Sequence, residues 1–223
     1  GKLFKPRDAK LFKPRNSLGN TGGQFYTAKN PEYGAVFTYN LNNVPKTSKS
    51  LRMQREKRLN ADNMDIPFPG YDKLTDEMNE KPASIILTIK DTEGNHIRNI
   101  KKNASNGSSR IAWNLRHQSY YPIRAGRGQA NSWFNPSGPY VTPGEYHAEI
   151  YLENNGSVEK LDGPIAFNVK PLRKGTLQGA SYSDYNSFRT RVSNLYISMS
   201  KYQDEFNMMK SKIDLLDKAS LQL

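Results

Sequence analysis

The side chains of this sequence best suited to chemistry are its three histidines, because imidazole binds metals and moves protons near neutral pH. His96, His117 and His147 fall at separate places along the chain, and no cluster of His, Asp and Glu has the spacing of metal ligands. The 223-residue sequence has no cysteine, which excludes thiolate metal sites and cysteine nucleophiles. We therefore expect no metal site and no cofactor.

Carboxylates are the second candidates for acid–base chemistry, and they cluster in one polar stretch. The stretch contains Asp62, Asp65, Asp72, Asp76, Glu77 and Glu80. A glycosidase needs two carboxyl groups held opposite each other in a rigid cleft, and nothing in the sequence fixes such a pair. We interpret the cluster as solvated surface groups and predict no catalytic residue.

A long connection at residues 116–143 is the third candidate, because it combines aromatic and arginine side chains. Tyr120, Trp133, Arg124 and Arg127 could together form a stacking platform for a ligand such as a glycan. Long loops without regular structure are usually functional or disordered, and aromatic residues argue against disorder. The sequence favours the other interpretation, a loop that packs over a sheet edge or onto a neighbouring domain.

The centre of the chain, which must position these residues, has the pattern of antiparallel strands. Residues 84–90 and 96–100 are rich in isoleucine and flank the turn Asp91-Thr-Glu-Gly94, which predicts a hairpin. From Tyr146 to Leu152 apolar residues alternate with polar ones. One face of this strand should therefore be buried, and Glu149 is expected on the solvated face.

Further strands at residues 35–41, 110–116, 158–161 and 164–169 complete the predicted fold. In the first of them Ala35, Phe37, Tyr39 and Leu41 are expected to face the core. We expect a mainly β chain: an immunoglobulin- or fibronectin III-like antiparallel sandwich of about seven strands, followed by a long C-terminal amphipathic helix. The sandwich is placed at residues 25–170 and is interrupted by a polar, partly helical insertion at residues 42–83. Trp113 should lie at its centre, packed with Phe37, Leu87, Ile89, Tyr146, Ile150 and Phe167.

An exact repeat opens the chain, with Lys2-Leu-Phe-Lys-Pro-Arg7 followed by Lys10-Leu-Phe-Lys-Pro-Arg15. Its prolines exclude a helix, and we interpret residues 1–24 as a basic linker. Residues 1–59 carry 13 of the 33 Lys and Arg against 3 Asp and Glu, so most of the net charge of +12 lies there. A basic arm can bind phosphate, but charge runs usually mark solvated segments, and the sequence does not favour a nucleic-acid partner.

The end of the chain, residues 171–223, is predicted to be a linker and a long helix. From Tyr185 the large apolar residues recur at alternating spacings of three and four, and no Gly or Pro interrupts them. These residues, called the seam below, are Tyr185, Phe188, Val192, Leu195, Met199, Tyr202, Phe206, Met209, Ile213 and Leu216. A helix cap is expected at Ser183 or Asp184, and the helix should be about 55 Å long.

A stripe of this length predicts a protein partner. The partner could be an antiparallel helix from residues beyond Leu223 or from another subunit, or part of the insertion at residues 46–80. Bulky aromatics and methionines in the seam favour an irregular helix pair over a regular two-stranded coiled coil. No apolar run approaches the length of a membrane span.

Several short pieces, taken in order, resemble the C-terminal part of bacterial exported proteins with a sortilin-like (VPS10/BNR-repeat) β-propeller, often labelled glycosyl hydrolase. The pieces are Leu11-Phe-Lys-Pro-Arg15, Asn30-Pro-Glu-Tyr-Gly-Ala-Val-Phe-Thr-Tyr39, Asp65-Ile-Pro-Phe-Pro69, Asp91-Thr-Glu-Gly94, Trp113-Asn-Leu-Arg116, Pro143-Gly-Glu-Tyr146 and the terminal helix. The sequence departs from that family at Lys170-Pro-Leu-Arg173, where the family usually has Asp-Pro-Arg, and it contains no propeller or Asp-box repeat.

The resemblance implies an exported protein at the bacterial cell surface or in the periplasm, and any glycan chemistry would belong to the propeller. We therefore expect a non-catalytic structural or interaction module that docks a propeller or partner subunit through the sandwich and the seam. The alternative is an accessory part of a glycan-active hydrolase, in which the loop at residues 116–143 contributes to substrate binding.

Overall fold

The computed structural model describes residues 1–14, 28, 30–119, 138–173, 175 and 179–221. The chain divides into two units. Residues Gly1–Leu115 and Pro143–Arg173 form the first, called the two-sheet unit, and residues Arg116–Thr142 and Lys174–Leu223 form the second, called the helical unit.

The described residues contain eight strands in two sheets and three helices, so the predicted combination of β-sheets with a long terminal helix is confirmed. The strands are β1 (Lys2–Leu3), β2 (Ala9–Leu11), β3 (Ala35–Leu41), β4 (Ser84–Asp91), β5 (His96–Asn103), β6 (Gly107–Trp113), β7 (Gly144–Asn154) and β8 (Ser157–Pro171). The helices are α1 (Ser48–Ala61), α2 (Tyr71–Asn79) and α3 (Tyr182–Ser220). One sheet has the order β1-β3-β6 and the other β2-β8-β7-β4-β5.

The strands follow the alternation of the sequence. In β3 every second residue from Ala35 to Leu41 is buried, as predicted, and β3 pairs with β6 antiparallel over its whole length. Gly34 opens β3 with φ +106°, and a Cβ there would lie 1.9 Å from the carbonyl oxygen of Trp113. Only glycine therefore lets the backbones of β3 and β6 approach so closely at the start of this ladder.

The core of the two-sheet unit lies around Trp113, as predicted. The Trp113 side chain is fully buried. Its ring lies 5.6 Å from that of Tyr146 and 6.0 Å from that of Phe167, both edge-on. Because Trp113 belongs to one sheet and its two aromatic neighbours to the other, these contacts join the sheets across the core. The rest of the predicted core, namely Phe37, Leu87, Ile89 and Ile150, is also fully buried.

The opening repeat differs from the predicted linker, because each copy supplies an edge strand. The first copy forms β1, which pairs antiparallel with β3, and the second forms β2, which runs parallel to β8. Pro6 between them is buried. Strands of two and three residues are too short to show alternation, so the sequence pattern missed them. The remainder of the predicted linker, residues 15–24, lies outside the described residues.

Leu3 anchors β1, since its side chain is 3% exposed. Its backbone N–H donates to Asp162 at 2.7 Å, and the Gly163 N–H donates to the other carboxylate oxygen at 2.8 Å. These two bonds lower the pKa of Asp162. The next residue, Phe4, is 42% exposed and supplies a matched control.

We expect Leu3→Ala to lower the free energy of unfolding by about 2–3 kcal/mol, the usual result of truncating a buried leucine. Phe4→Ala should cost less than about 1 kcal/mol, because its ring is already partly hydrated. Urea denaturation of both variants measures the difference. Equal midpoints would mean that β1 does not belong to the cooperative unit.

Glu149 is the main exception to the predicted alternation. It was expected on the solvated face of β7, but it is 6% exposed. Lys90 of β4 and Lys160 of β8 each place an ammonium 2.6 Å from its carboxylate, and the Tyr151 hydroxyl donates to it at 2.9 Å. Side chains of the two flanking strands thus cover the carboxylate. Hydrogen bonds from Lys160 and Lys90, which outweigh the effect of burial, lower the pKa of Glu149 to about 2.

We expect Glu149→Gln to destabilise the two-sheet unit by about 1–3 kcal/mol at pH 7, because charge-assisted hydrogen bonds are lost. Glu153→Gln is the matched control: Glu153 pairs with Lys101 at the more exposed end of the same strand and should cost less than about 1 kcal/mol.

The Glu149 contribution should also depend on pH with a defined sign. Its folded pKa of about 2 lies below the ordinary glutamate value of 4.5, so the stabilisation is complete above the unfolded pKa and is lost as the pH falls through the folded one. Chemical denaturation of wild type and Glu149→Gln should therefore converge in acid. A difference that persists below the folded pKa would contradict the assignment.

Candidate partner-binding surface

Helix α3 has 39 residues, and at 1.5 Å per residue it is about 58 Å long. The N-cap is Ser181, two residues before the nearer of the two predicted caps. The Ser181 hydroxyl accepts from the Asp184 N–H at 3.0 Å and donates to its carboxylate at 2.7 Å. Asp184 therefore takes part in the cap as an acidic residue of the first turn, where it also complements the helix dipole.

The polar face of α3 makes its contacts within the helical unit. Asn186 donates to the Thr142 hydroxyl at 3.1 Å, and Arg189 donates to the Tyr140 carbonyl at 3.1 Å. One turn further, Ser193 is buried and donates to the Arg189 carbonyl at 2.8 Å. The predictions missed this face. Its signal is the recurrence of a small polar residue every seventh position, at Asn186, Ser193 and Ser200, of which both serines are buried.

Residues 138–142 reach α3 from a short stem formed by the two ends of the long connection. Arg116 and Tyr140 form an antiparallel bridge, and the Arg116 guanidinium lies 3.8 Å from the centre of the Tyr140 ring. The His117 N–H donates to the Pro139 carbonyl at 2.9 Å. Residues 116–142 therefore belong with the helix, whereas the predicted boundary placed them in the sandwich.

The predicted ligand residues Tyr120, Arg124, Arg127 and Trp133 lie outside the described residues. The aromatic platform thus stays a prediction.

The seam faces away from Asn186, Ser193 and Ser200 and is exposed along its whole length. The exposed fractions of its ten residues run from 48% at Tyr185 and Val192 to 69% at Leu216. From Phe206 to Leu221 every described residue of the helix is exposed. Contiguous apolar surface of this length is unusual on a monomer in water and marks an interaction site. The structure thus brings all predicted interface residues onto one open face.

Two of the six carboxylates singled out for chemistry, Glu77 and Glu80, have structural partners. Arg52 of α1 binds Glu77 of α2 through its Nε at 2.9 Å and its Nη2 at 2.8 Å, and it also pairs with Glu56 at 2.7 Å. Hydrogen bonds from Arg52 lower the pKa of Glu77. Glu80 accepts from the backbone N–H of Ser48 at 2.6 Å, at the first residue of α1. These contacts join α1 to α2 within the predicted insertion.

In the part of the chain that the structure describes, no three His, Cys, Asp or Glu residues are grouped so that they could hold a metal ion. Likewise, none of the described helices combines the length and the apolar character needed to cross a membrane.

Comparisons with family models, with curated proteins and with solved structures give no match to this chain.

Proposed function

We propose that this chain is a non-catalytic structural and interaction module that docks a partner helix through the seam of α3. The observation that carries the proposal is the exposure of all ten seam residues on a helix whose polar residues Asn186 and Arg189 already contact residues 138–142. A helix with one polar face in contact and one apolar face in water lacks the partner that its apolar face needs.

The proposal includes a fold type for the two-sheet unit, an immunoglobulin- or fibronectin III-like sandwich. In that arrangement strands A, B and E share one sheet and strands C, F and G share the other. Taking β3 as B, β4 as C, β6 as E, β7 as F and β8 as G reproduces this division. The next strand in the chain after C is β5, and it pairs with C (β4) in the same sheet.

Two core aromatic residues bear on this fold type. Tyr146 lies near the start of the strand taken as F, which is the place of the tyrosine corner in such domains. Trp113 lies on the strand taken as E, whereas immunoglobulin domains carry their core tryptophan on strand C. The strand order therefore supports the fold type more strongly than the core residues do.

The resemblance to the C-terminal part of exported sortilin-like propeller proteins gives the module a setting. We propose a bacterial cell-surface or periplasmic location, with a propeller domain or a partner subunit as the protein that it docks. Residues 113–116 and 143–146, which contribute to the resemblance, lie in or beside β6 and β7. In this setting the two-sheet unit serves as a scaffold and the seam as the contact.

Static light scattering of the isolated chain, combined with a glycan panel at physiological salt, tests the proposal. We expect a mass above the 25.3 kDa of one chain that rises with concentration, and no retention by any glycan. A chain that stays monomeric and is retained by a glycan would contradict it and would support the accessory glycan-binding function instead.

A further inference from the structure

The charged residues beside the seam restrict which partner fits it. With Tyr185 as position a of a heptad and Phe188 as position d, the seam fills every a and d position as far as Leu216. The flanking g positions then include Arg191, Glu205 and Lys212, and the flanking e positions include Tyr196, Lys210 and Asp217. In coiled coils these positions select the partner and its orientation.

We propose that the partner is α3 of a second copy of this chain, parallel and in register; this rests on the proposed function of the seam. The aromatics and methionines of the seam favour irregular packing between the two helices, and the charges beside the seam determine their orientation. In that arrangement each g residue faces the e residue five positions later on the other helix. Glu205 then faces Lys210 of the second copy, and Lys212 faces Asp217. Two-fold symmetry repeats both pairs, and neither juxtaposes like charges.

An antiparallel pair fits the same charges less well. With Tyr185 opposite Leu216, the g residues face each other, and Arg191 of one helix lies beside Lys212 of the other. In the parallel arrangement Arg191 instead faces the Tyr196 ring, a favourable cation–π partner. Asp184 and Arg189 are already engaged within their own chain, because Asp184 takes part in the helix cap and Arg189 donates to the Tyr140 carbonyl.

The side chains that would form the ion pairs are available for them. Lys210, Lys212 and Asp217 are exposed and Glu205 is partly exposed. Among the described residues none of the four forms an ion pair within its own chain.

Two open grooves on α3 have the spacing of coiled-coil holes. One is lined by Tyr185, Phe188, Arg189, Val192, Ser193 and Tyr196, together with Pro139, and the other by Phe188, Arg191, Val192, Asn194 and Leu195. Each lining includes four residues at positions i, i+3, i+4 and i+7 of the helix, which are 185, 188, 189 and 192 in the first groove and 188, 191, 192 and 195 in the second. Four residues at this spacing form the hole that receives one knob of a facing helix. The first two heptads are thus shaped to receive the a and d side chains of a second helix.

The surface available is large enough for a stable dimer. Four seam residues are aromatic, and an aromatic side chain can bury about 150–250 Å². Each of these side chains is 48–68% exposed, so a dimer that covers all eight of them would remove roughly 1,000 Å² of surface from water. The six aliphatic seam residues of each copy add to this, which brings the interface into the range of about 1,200–2,000 Å² typical of specific complexes.

Single cysteines test the orientation, because the chain has none of its own. In the parallel, in-register pair, Leu195→Cys and Leu216→Cys should each give a disulfide-linked dimer of one variant on mild oxidation. In the antiparallel pair, Leu195 lies opposite Phe206, and its own copy is about 16 Å away along the axis, beyond disulfide reach. Ser211→Cys, on the face away from the seam, is the matched control and should remain unlinked.

Charge reversal tests the partner contacts independently of cysteine chemistry. Glu205→Lys should weaken the dimer about tenfold, since two attractive pairs become repulsive. Adding Lys210→Glu to the same chain should restore the affinity to within about twofold of wild type, because the pairs are re-formed with their signs exchanged. Asp214→Lys, a reversal at a position outside e and g, should leave the affinity unchanged. Sedimentation velocity measures all four chains.

The outcomes separate this inference from the proposed function. Self-linked Leu195→Cys together with rescue by the double charge reversal supports it. The parallel dimer is overturned if the chain still associates but Leu195→Cys links only to Phe206→Cys. It is also overturned if the chain still associates but the double reversal fails to restore the affinity. In both cases the seam remains a partner surface. Absence of any association would overturn both.

Discussion

Replacing Trp113 with alanine should lower the free energy of unfolding by about 3–5 kcal/mol. The indole is fully buried and contacts the rings of Tyr146 and Phe167 in the opposite sheet. Its removal leaves a cavity between the sheets and also ends the favourable edge-on ring contacts. Since domains of this size are stabilised by only about 5–15 kcal/mol, much of the margin would be lost.

Urea denaturation followed by circular dichroism measures this effect. Trp113→Phe should recover part of the loss, because a smaller ring fills part of the space. Tyr71→Ala removes an aromatic side chain that is 80% exposed, and we expect its cost to stay below about 1 kcal/mol. If wild type and Trp113→Ala unfolded at the same urea concentration, Trp113 would not lie between the sheets.

The variant with both Leu195→Glu and Phe206→Glu should be monomeric at concentrations where the wild-type chain associates. Both side chains are largely exposed, at 61% and 63%, so glutamate costs the monomer little. In a helix pair the same two carboxylates would be buried without partners, at several kcal/mol each. We expect the dissociation constant to rise by at least about a thousandfold.

Thr190→Glu with Ser211→Glu is the matched control for this variant. It adds the same charge to exposed positions of α3 outside the seam and should associate like wild type. Near-UV circular dichroism should be unchanged in both variants, because they leave the two-sheet unit and its buried Trp113 intact. Association of the seam variant at wild-type strength would mean that the contact lies elsewhere.

Much of the two-sheet unit could be predicted because its longer strands repeat with the period of the sheet. The alternation in β3 identified its buried face correctly, from Ala35 to Leu41. The edge strands β1 and β2 could not be predicted in this way, since two or three residues are too few to show a period. Alternation also misplaced Glu149, because its burial is produced by Lys90 and Lys160 of the neighbouring strands.

The seam could be predicted for a related reason: apolar residues at alternating spacings of three and four over ten positions lie along one face of a helix. The contacts of residues 138–142 with Asn186 and Arg189 could not be predicted, because they join residues more than forty positions apart through hydrogen bonds. The recurrence of Asn186, Ser193 and Ser200 at every seventh position marks this face of the helix but does not identify the residues that contact it. The grouping of residues 116–142 with the helix could not be predicted for the same reason, because it depends on contacts between residues far apart in the sequence.

Hydrogen exchange along α3 of the unmodified chain tests most directly whether the seam takes a partner helix. At about 1 µM, where mass action favours the monomer, the amides of residues 206–220 should exchange rapidly, since every one of these residues is exposed. At about 100 µM the same amides should become protected, while those of β4 and β7 stay protected throughout. Full protection of α3 in a chain that is monomeric at both concentrations would contradict the account, because it would show that the seam is already covered from within the chain.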